Sequence, residues 1–124
     1  MRASSTGQVE LADVWVPDEA VLPDISGMKG PLSCLTQARY GICWGTVGAA
    51  MACYDAARQH AMNREQFGQP IGGFQLMQER LVEMVQEITK AQLLNWRLGT
   101  LKDAGTLRPQ QVSLAKRNNC QTAL

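Results

Sequence analysis

No proline interrupts the chain from Leu32 to Asn63, and Leu35, Ala38, Ile42, Val47, Ala50, Met51, Tyr54, Ala57 and Ala61 recur there at helical spacing. That run predicts one helix of about 30 residues, on the order of 45 Å long. A second run from about Phe74 to Asp103 carries Met77, Leu81, Met84, Val85, Ile88, Ala91, Leu94 and Leu98 on one face. Between them, Gly68, Pro70, Gly72 and Gly73 break both patterns. Two long helices joined by so short a turn must fold back as an antiparallel hairpin. Gly105 marks a plausible stop, and Pro109 opens a third helical run with Val112, Leu114 and Ala115 as its apolar residues. The chain is therefore read as mainly α.

The first thirty residues differ. Gln8 to Ala12 and Asp13 to Val16 alternate polar and apolar, as a half-buried strand does. Pro17-Asp18-Glu19 ends that short β segment, and Asp24 to Gly30 reads as a loop. Pro31 suits the first turn of a helix, where its missing N–H costs nothing. Gly41, Gly45 and Gly48 lie nearly on one side of the first long helix. Each costs a helix roughly 1 kcal/mol against alanine, so another backbone or a ligand is expected to pass close there. A hairpin plus part of a third helix has apolar faces it cannot cover alone. Either copies associate, or the natural protein continues past both ends.

Composition excludes several classes of function. A net charge of +1 with 19% charged residues gives no reason to expect nucleic acid as a partner. No apolar run reaches the roughly 18 residues of a spanning helix, so no membrane insertion is expected. Met1-Arg2-Ala3-Ser4-Ser5 lacks the apolar core of a secretory signal. Cys34, Cys43, Cys53 and Cys120 form no C-x-x-C pair, and His60 is the single histidine, which argues against a zinc site. All four cysteines are read as small buried thiols in a reducing compartment. Trp44 and Trp96 fit core or interface anchors. Glu79, Glu83 and Glu87 follow helical spacing and read as a solvated face, as does His60 beside Arg58, Gln59 and Asn63.

Two segments carry a family resemblance. Arg64-Glu65-Gln66-Phe67-Gly68-Gln69-Pro70-Ile71, followed by Phe74-Gln75-Leu76-Met77-Gln78, resembles the flavin-contacting turn of the acyl-CoA dehydrogenases. Cys34-Leu35-Thr36-Gln37-Ala38-Arg39-Tyr40-Gly41-Ile42, with Lys116-Arg117-Asn118-Asn119-Cys120, is similar to the glutaryl-CoA dehydrogenase branch. Leu11-Ala12-Asp13-Val14-Trp15-Val16-Pro17 resembles the family's last strand before its helical domain. The resemblance implies that residues 1–30 are the end of a middle β-domain with a linker loop. It implies that 31–124 are a partial C-terminal domain, an up-down four-helix bundle.

The same resemblance implies FAD as cofactor. Arg64 would reach the pyrophosphate of a neighbouring subunit's FAD, which suits a permanently charged, bidentate guanidinium. Phe67 would pack near the adenosine half of that cofactor, and Gln75 would contact it across the interface. On its own, Arg64 is also simply a cation near a helix C-terminus, where it favours the dipole. Leu32, Ser33, Cys34, Leu35, Thr36, Gln37, Ala38 and Arg39 resemble the acyl-CoA contact at a helix start, with Arg39 near the CoA phosphates and adenine. Thr36 stands where Asp or Asn is common in the wider family, and a hydroxyl is a weaker polar contact. Ala38 occupies the position that supplies the catalytic glutamate in the isovaleryl and long-chain branches. Alanine cannot abstract a proton, so the base is expected beyond Leu124 and no catalytic residue is assigned within the chain.

The parent activity implied is oxidative decarboxylation of glutaryl-CoA to crotonyl-CoA, in lysine and tryptophan degradation. The implied partners are the glutaryl-CoA substrate, further copies in a homotetramer, and electron-transferring flavoprotein. The location would be cytoplasmic in a bacterium and the mitochondrial matrix in a eukaryote. A chain of this length is expected to be inactive alone. Two rival readings stay open: a stand-alone helical interaction module that binds no nucleotide, and a branch acting on short or branched monocarboxylates.

Overall fold

The protein is described here by a computed structural model over residues 4–124; Met1–Ala3, which open the segment read above for a secretory core, lie outside the described residues. Three helices dominate: α1, Lys29–Asn63; α2, Gln75–Asp103; and α3, Pro109–Thr122. Pro31 sits in the first turn of α1, among N–H groups that have no intrahelical partner anyway. The α1–α2 connection is a minimal ribbon, β1 (Glu65–Gln66) antiparallel to β2 (Gln69–Pro70), followed by a single 3₁₀ turn over Ile71–Gly73. No helix among the described residues is long and apolar enough to cross a membrane.

The hairpin closes tightly because of what its turns contain. A Cβ on Gly72 would stand 3.1 Å from the carbonyl oxygen of Ala61, a tight contact with backbone that glycine avoids where the returning chain approaches α1. At the far end, Gly105 adopts φ +67°. Its N–H donates to the Lys102 carbonyl and the Thr106 N–H to that of Leu101. This is a Schellman stop, which satisfies the last carbonyls of α2 and turns the chain toward α3. Pro109 then opens α3, while the Arg108 N–H donates to Gln111 Oε1 at 2.8 Å.

α3 packs against both α1 and α2. Cys43, Leu98 and Ala115, one from each helix, are buried together, with Tyr40, Leu94 and Leu107 packed around them. Val47, Ala50, Ile88, Ala91 and Val112 extend this seam. It also contains two buried amides. Asn95 Nδ2 donates to the Cys43 carbonyl at 2.9 Å. Asn119 Nδ2 donates to the same carbonyl at 3.0 Å and to Asn95 Oδ1 at 2.7 Å. One backbone oxygen of α1 thus ties all three helices together.

Several expectations are corrected. Residues 8–16 form no strand, and Val9, Leu11, Val14 and Trp15 are exposed. An alternating segment becomes a strand only when a neighbour takes its backbone hydrogen bonds, and none lies beside it. Only Cys43 is buried; Cys120 is half-buried, and Cys34 and Cys53 are exposed. Leu35, Ile42 and Met51 are likewise exposed rather than core. Nothing stands within 4 Å of a Cβ built on Gly41, Gly45 or Gly48, so that flank of α1 faces open space in the single chain.

Candidate functional site

Arg64, Phe67 and Gln75 all fall in the connection that closes the hairpin: Arg64 just before the ribbon, Phe67 at its tip and Gln75 at the start of α2. Arg64 is the residue at which α1 stops. Its N–H donates to the His60 carbonyl, and its own carbonyl accepts from Ile71 N–H, both at 2.8 Å. The backbone of Arg64 is thereby fixed at both sides while its guanidinium stays exposed, with no carboxylate partner among the described residues.

Phe67 is the stronger anomaly. It has φ +53° and is followed by Gly68 at +78°. Two positive φ values in a two-residue hairpin are the signature of a type I′ turn, which favours Asn-Gly or Gly-Gly. A phenylalanine there is strained, and it is 92% exposed. Its ring meets only the edge of Phe74, centroids 6.2 Å apart. Strain on a large apolar side chain held in water points to a contact outside the chain. Gln75 opens α2 with its amide exposed. The ribbon and the helix ends it joins therefore expose a cation, an aromatic ring and an amide.

The second set, Leu32 to Arg39, occupies the opening turns of α1. Ser33 Oγ donates to the Gly30 carbonyl at 2.7 Å, and Thr36 Oγ1 to the Leu32 carbonyl at 2.9 Å. Both hydroxyls spend their proton inside the helix and keep only acceptor capacity outward. Leu32, Cys34, Leu35, Gln37, Ala38 and Arg39 are exposed. Gln37 Oε1 accepts from Lys102 Nζ at 3.2 Å, and that ammonium lies 4.1 Å above the Tyr40 ring. Reading the sequence did not single out Lys102 as a site residue, because its neighbours lie 65 positions away in the chain.

The two sets are not brought together. Arg39 and Arg64 lie on the same rigid helix, about 38 Å apart by helical rise. No single constellation of side chains in this chain can hold both. Nor does any acid converge on either. Glu83 pairs with Arg80 and Glu87 with Lys90, both on the exposed face of α2. Hydrogen bonding from Lys90 holds the Glu87 carboxyl below its ordinary range, the wrong direction for a base poised near neutrality. His60 is exposed, and no group of three metal-binding side chains exists among the described residues.

The family described as acyl-CoA dehydrogenase, C-terminal domain, matches residues 26–124. A glutaryl-CoA dehydrogenase of Desulfococcus multivorans is 39% identical over 106 residues, 85% of this chain and 27% of that protein. The mitochondrial short-chain specific acyl-CoA dehydrogenase of Rattus norvegicus is 34% identical over 117 residues, 94% of this chain and 28% of that one. Among solved structures, a glutaryl-CoA dehydrogenase from Mycobacterium smegmatis superposes with a TM-score of 0.84 at 50% identity, covering 87% of this chain and 28% of its own. A second glutaryl-CoA dehydrogenase structure from Mycobacterium smegmatis, in complex with FADH2, gives 0.83 at 42% identity, with the same coverage. The chain spans a little over a quarter of the length of these relatives.

Proposed function

The chain belongs to the acyl-CoA dehydrogenase family, and from that membership we propose that it works as part of an FAD-dependent enzyme of the glutaryl-CoA type. The observation that carries this reading is the ribbon. An exposed arginine, a strained exposed phenylalanine and an exposed glutamine in one short connection are of no use to a hairpin that only packs. They are the donor set a dinucleotide asks for: a guanidinium for the diphosphate, a ring for the adenine, an amide for the remaining polar edges. Bound FAD would supply the hydride acceptor for oxidation α,β to a thioester. Arg64, Phe67 and Gln75 would hold and orient it.

Leu32 to Arg39 would form one flank of the acyl-CoA site, with the Arg39 guanidinium toward the CoA phosphates. The roughly 38 Å between Arg39 and Arg64 supports the view that the two sets serve different active centres, the ribbon reaching into a neighbouring copy. Exposed apolar side chains on the outer face of α2, Leu93 at 60% and Trp96 at 69%, support self-association. A homotetramer is the assembly we assign. Residues 1–30 would belong to a preceding β-domain, where the strand seen in the alternation of 8–16 would find its partner. Electron-transferring flavoprotein would accept the electrons. The compartment would be the bacterial cytoplasm or the mitochondrial matrix. A glutaryl rather than a short-chain substrate is favoured by the 39% identity of the Desulfococcus multivorans glutaryl-CoA dehydrogenase against 34% for the short-chain relative.

The test is to purify the native protein that carries this sequence and record its mass, its flavin absorption and its response to glutaryl-CoA. A yellow protein several times heavier than 13.6 kDa, bleached by glutaryl-CoA, is the expected result. A colourless protein of this chain's own mass would instead support a helical interaction module.

A further inference from the structure

Charge is distributed unevenly along the hairpin. Of the ion pairs among the described residues, Arg58–Asp55 and Arg80–Glu83 lie toward the ribbon end and Lys90–Glu87 midway along α2. At the opposite end, the first turns of α1 and the α2–α3 corner carry Lys29, Arg39, Lys102 and Arg108 against the single carboxylate of Asp103. None of these four cations pairs with an acid among the described residues, although the arm leading into α1 carries Glu10, Asp13, Asp18, Glu19 and Asp24. A cleft of about 220 Å³ opens at this end, lined by Thr36, Gln37, Lys102, Leu107 and Arg108 among others.

Lys102 is held in place there. Gln37 Oε1 takes one of its N–H donors at 3.2 Å and the Tyr40 ring sits 4.1 Å beneath it. An ammonium has three donors, so two remain for a ligand. A lysine so anchored has already given up much of its rotamer freedom, which lowers what a further contact must overcome. Arg108 adds a second cation on the same cleft. The cleft shares Thr36 and Gln37 with the segment assigned above to acyl-CoA.

We infer that Lys102, supported by Arg108, is an anion-binding contact for the phosphates of the CoA nucleotide tail, a subsite that extends the Leu32–Arg39 flank across the α2–α3 corner. This rests on the acyl-CoA reading of that flank. The ligand class is a phosphorylated nucleotide joined to a pantetheine thioester. The subsite reads the phosphates and not the acyl group.

Equilibrium binding of CoA and of pantetheine, which lacks the phosphates, by the purified native protein tests the inference. Lys102→Gln is expected to bind CoA about tenfold more weakly, as loss of one charge-assisted contact gives, with pantetheine binding unchanged. Lys102→Arg should restore CoA binding, and Arg108→Gln should weaken it in the same sense. Should Lys102→Gln fail to fold, the Lys102→Arg and Arg108→Gln pair still reads the cleft. Equal CoA binding by Lys102→Gln and the native protein, with Arg39→Gln impaired, would overturn the subsite and leave the flank intact. A native protein that binds no CoA would overturn both. A loss of thermal stability in Lys102→Gln without a loss of CoA affinity would show that Lys102 serves only the helix end and the Tyr40 ring, and would also sink the subsite.

Discussion

Asn119 uses both protons of one amide inside the core, and Asn95 depends on it. Replacing Asn119 by Leu strands Asn95 Oδ1 in a dry interior, so a loss of about 1–3 kcal/mol is expected in a denaturant titration. The double variant Asn95→Leu/Asn119→Leu should lose less than the sum of the singles, because it strands no side-chain acceptor. Neither buried amide was legible as such: asparagine is usually a surface residue, and Asn119 stood out only as part of a family motif. Cys43, whose carbonyl they share, titrates abnormally. Burial is the main cause, reinforced by nearby Cys120, and it pushes the thiol above its ordinary 9.0. The folded state thus keeps a proton that the unfolded chain releases, so stability is fully present below 9.0 and falls as pH rises through the alkaline range. Cys43→Ala should remove that component of the alkaline loss in Tm measured against pH.

Helix limits were legible to within about three residues, because each is set by local chemistry: Pro31 in a first turn, the Pro70–Gly73 break, the Gly105 stop, Pro109 as an opener. The Gly105 position is a clean probe of this. Its surroundings are open, so Gly105→Ala changes only the cost of φ +67° and should destabilise the chain by about 1 kcal/mol. Gly72→Ala is a different case, since the obstacle is the backbone of Ala61. A loss of about 1–3 kcal/mol from overpacking is expected in the same titration. What failed at this scale is the N-terminal strand, and the failure is physical. Helices satisfy their own hydrogen bonds, whereas a strand's pattern describes a partner that has to be supplied. The close approach expected at Gly41, Gly45 and Gly48 failed for the same reason, since it describes a neighbour and not the chain itself.

For the molecule as a whole, the proposed reading gives one hairpin two surfaces with different tasks. The ribbon end is charge-paired along its helices but exposes Arg64, Phe67 and Gln75; the opposite end holds cations with no acidic partner among the described residues around a cleft. Family motifs pointed to both segments in the sequence, while their separation needed the helix between them. Replacing Leu93 and Trp96 on the outer face of α2 by Glu should shift the native protein to smaller species in sedimentation, since both lie far from the buried seam between the helices. The central claim is that the two ends complete different active centres. It is tested most directly by mixing two inactive variants of the native protein, Arg39→Ala and Arg64→Ala, under conditions that exchange subunits. If the ribbon serves a neighbouring copy, each mixed pair contains one centre with both residues intact, and activity should return to about half of the centres in such pairs. No recovery in demonstrably mixed assemblies would contradict the account, because it would place Arg39 and Arg64 in the same centre or leave one of them with no role in it.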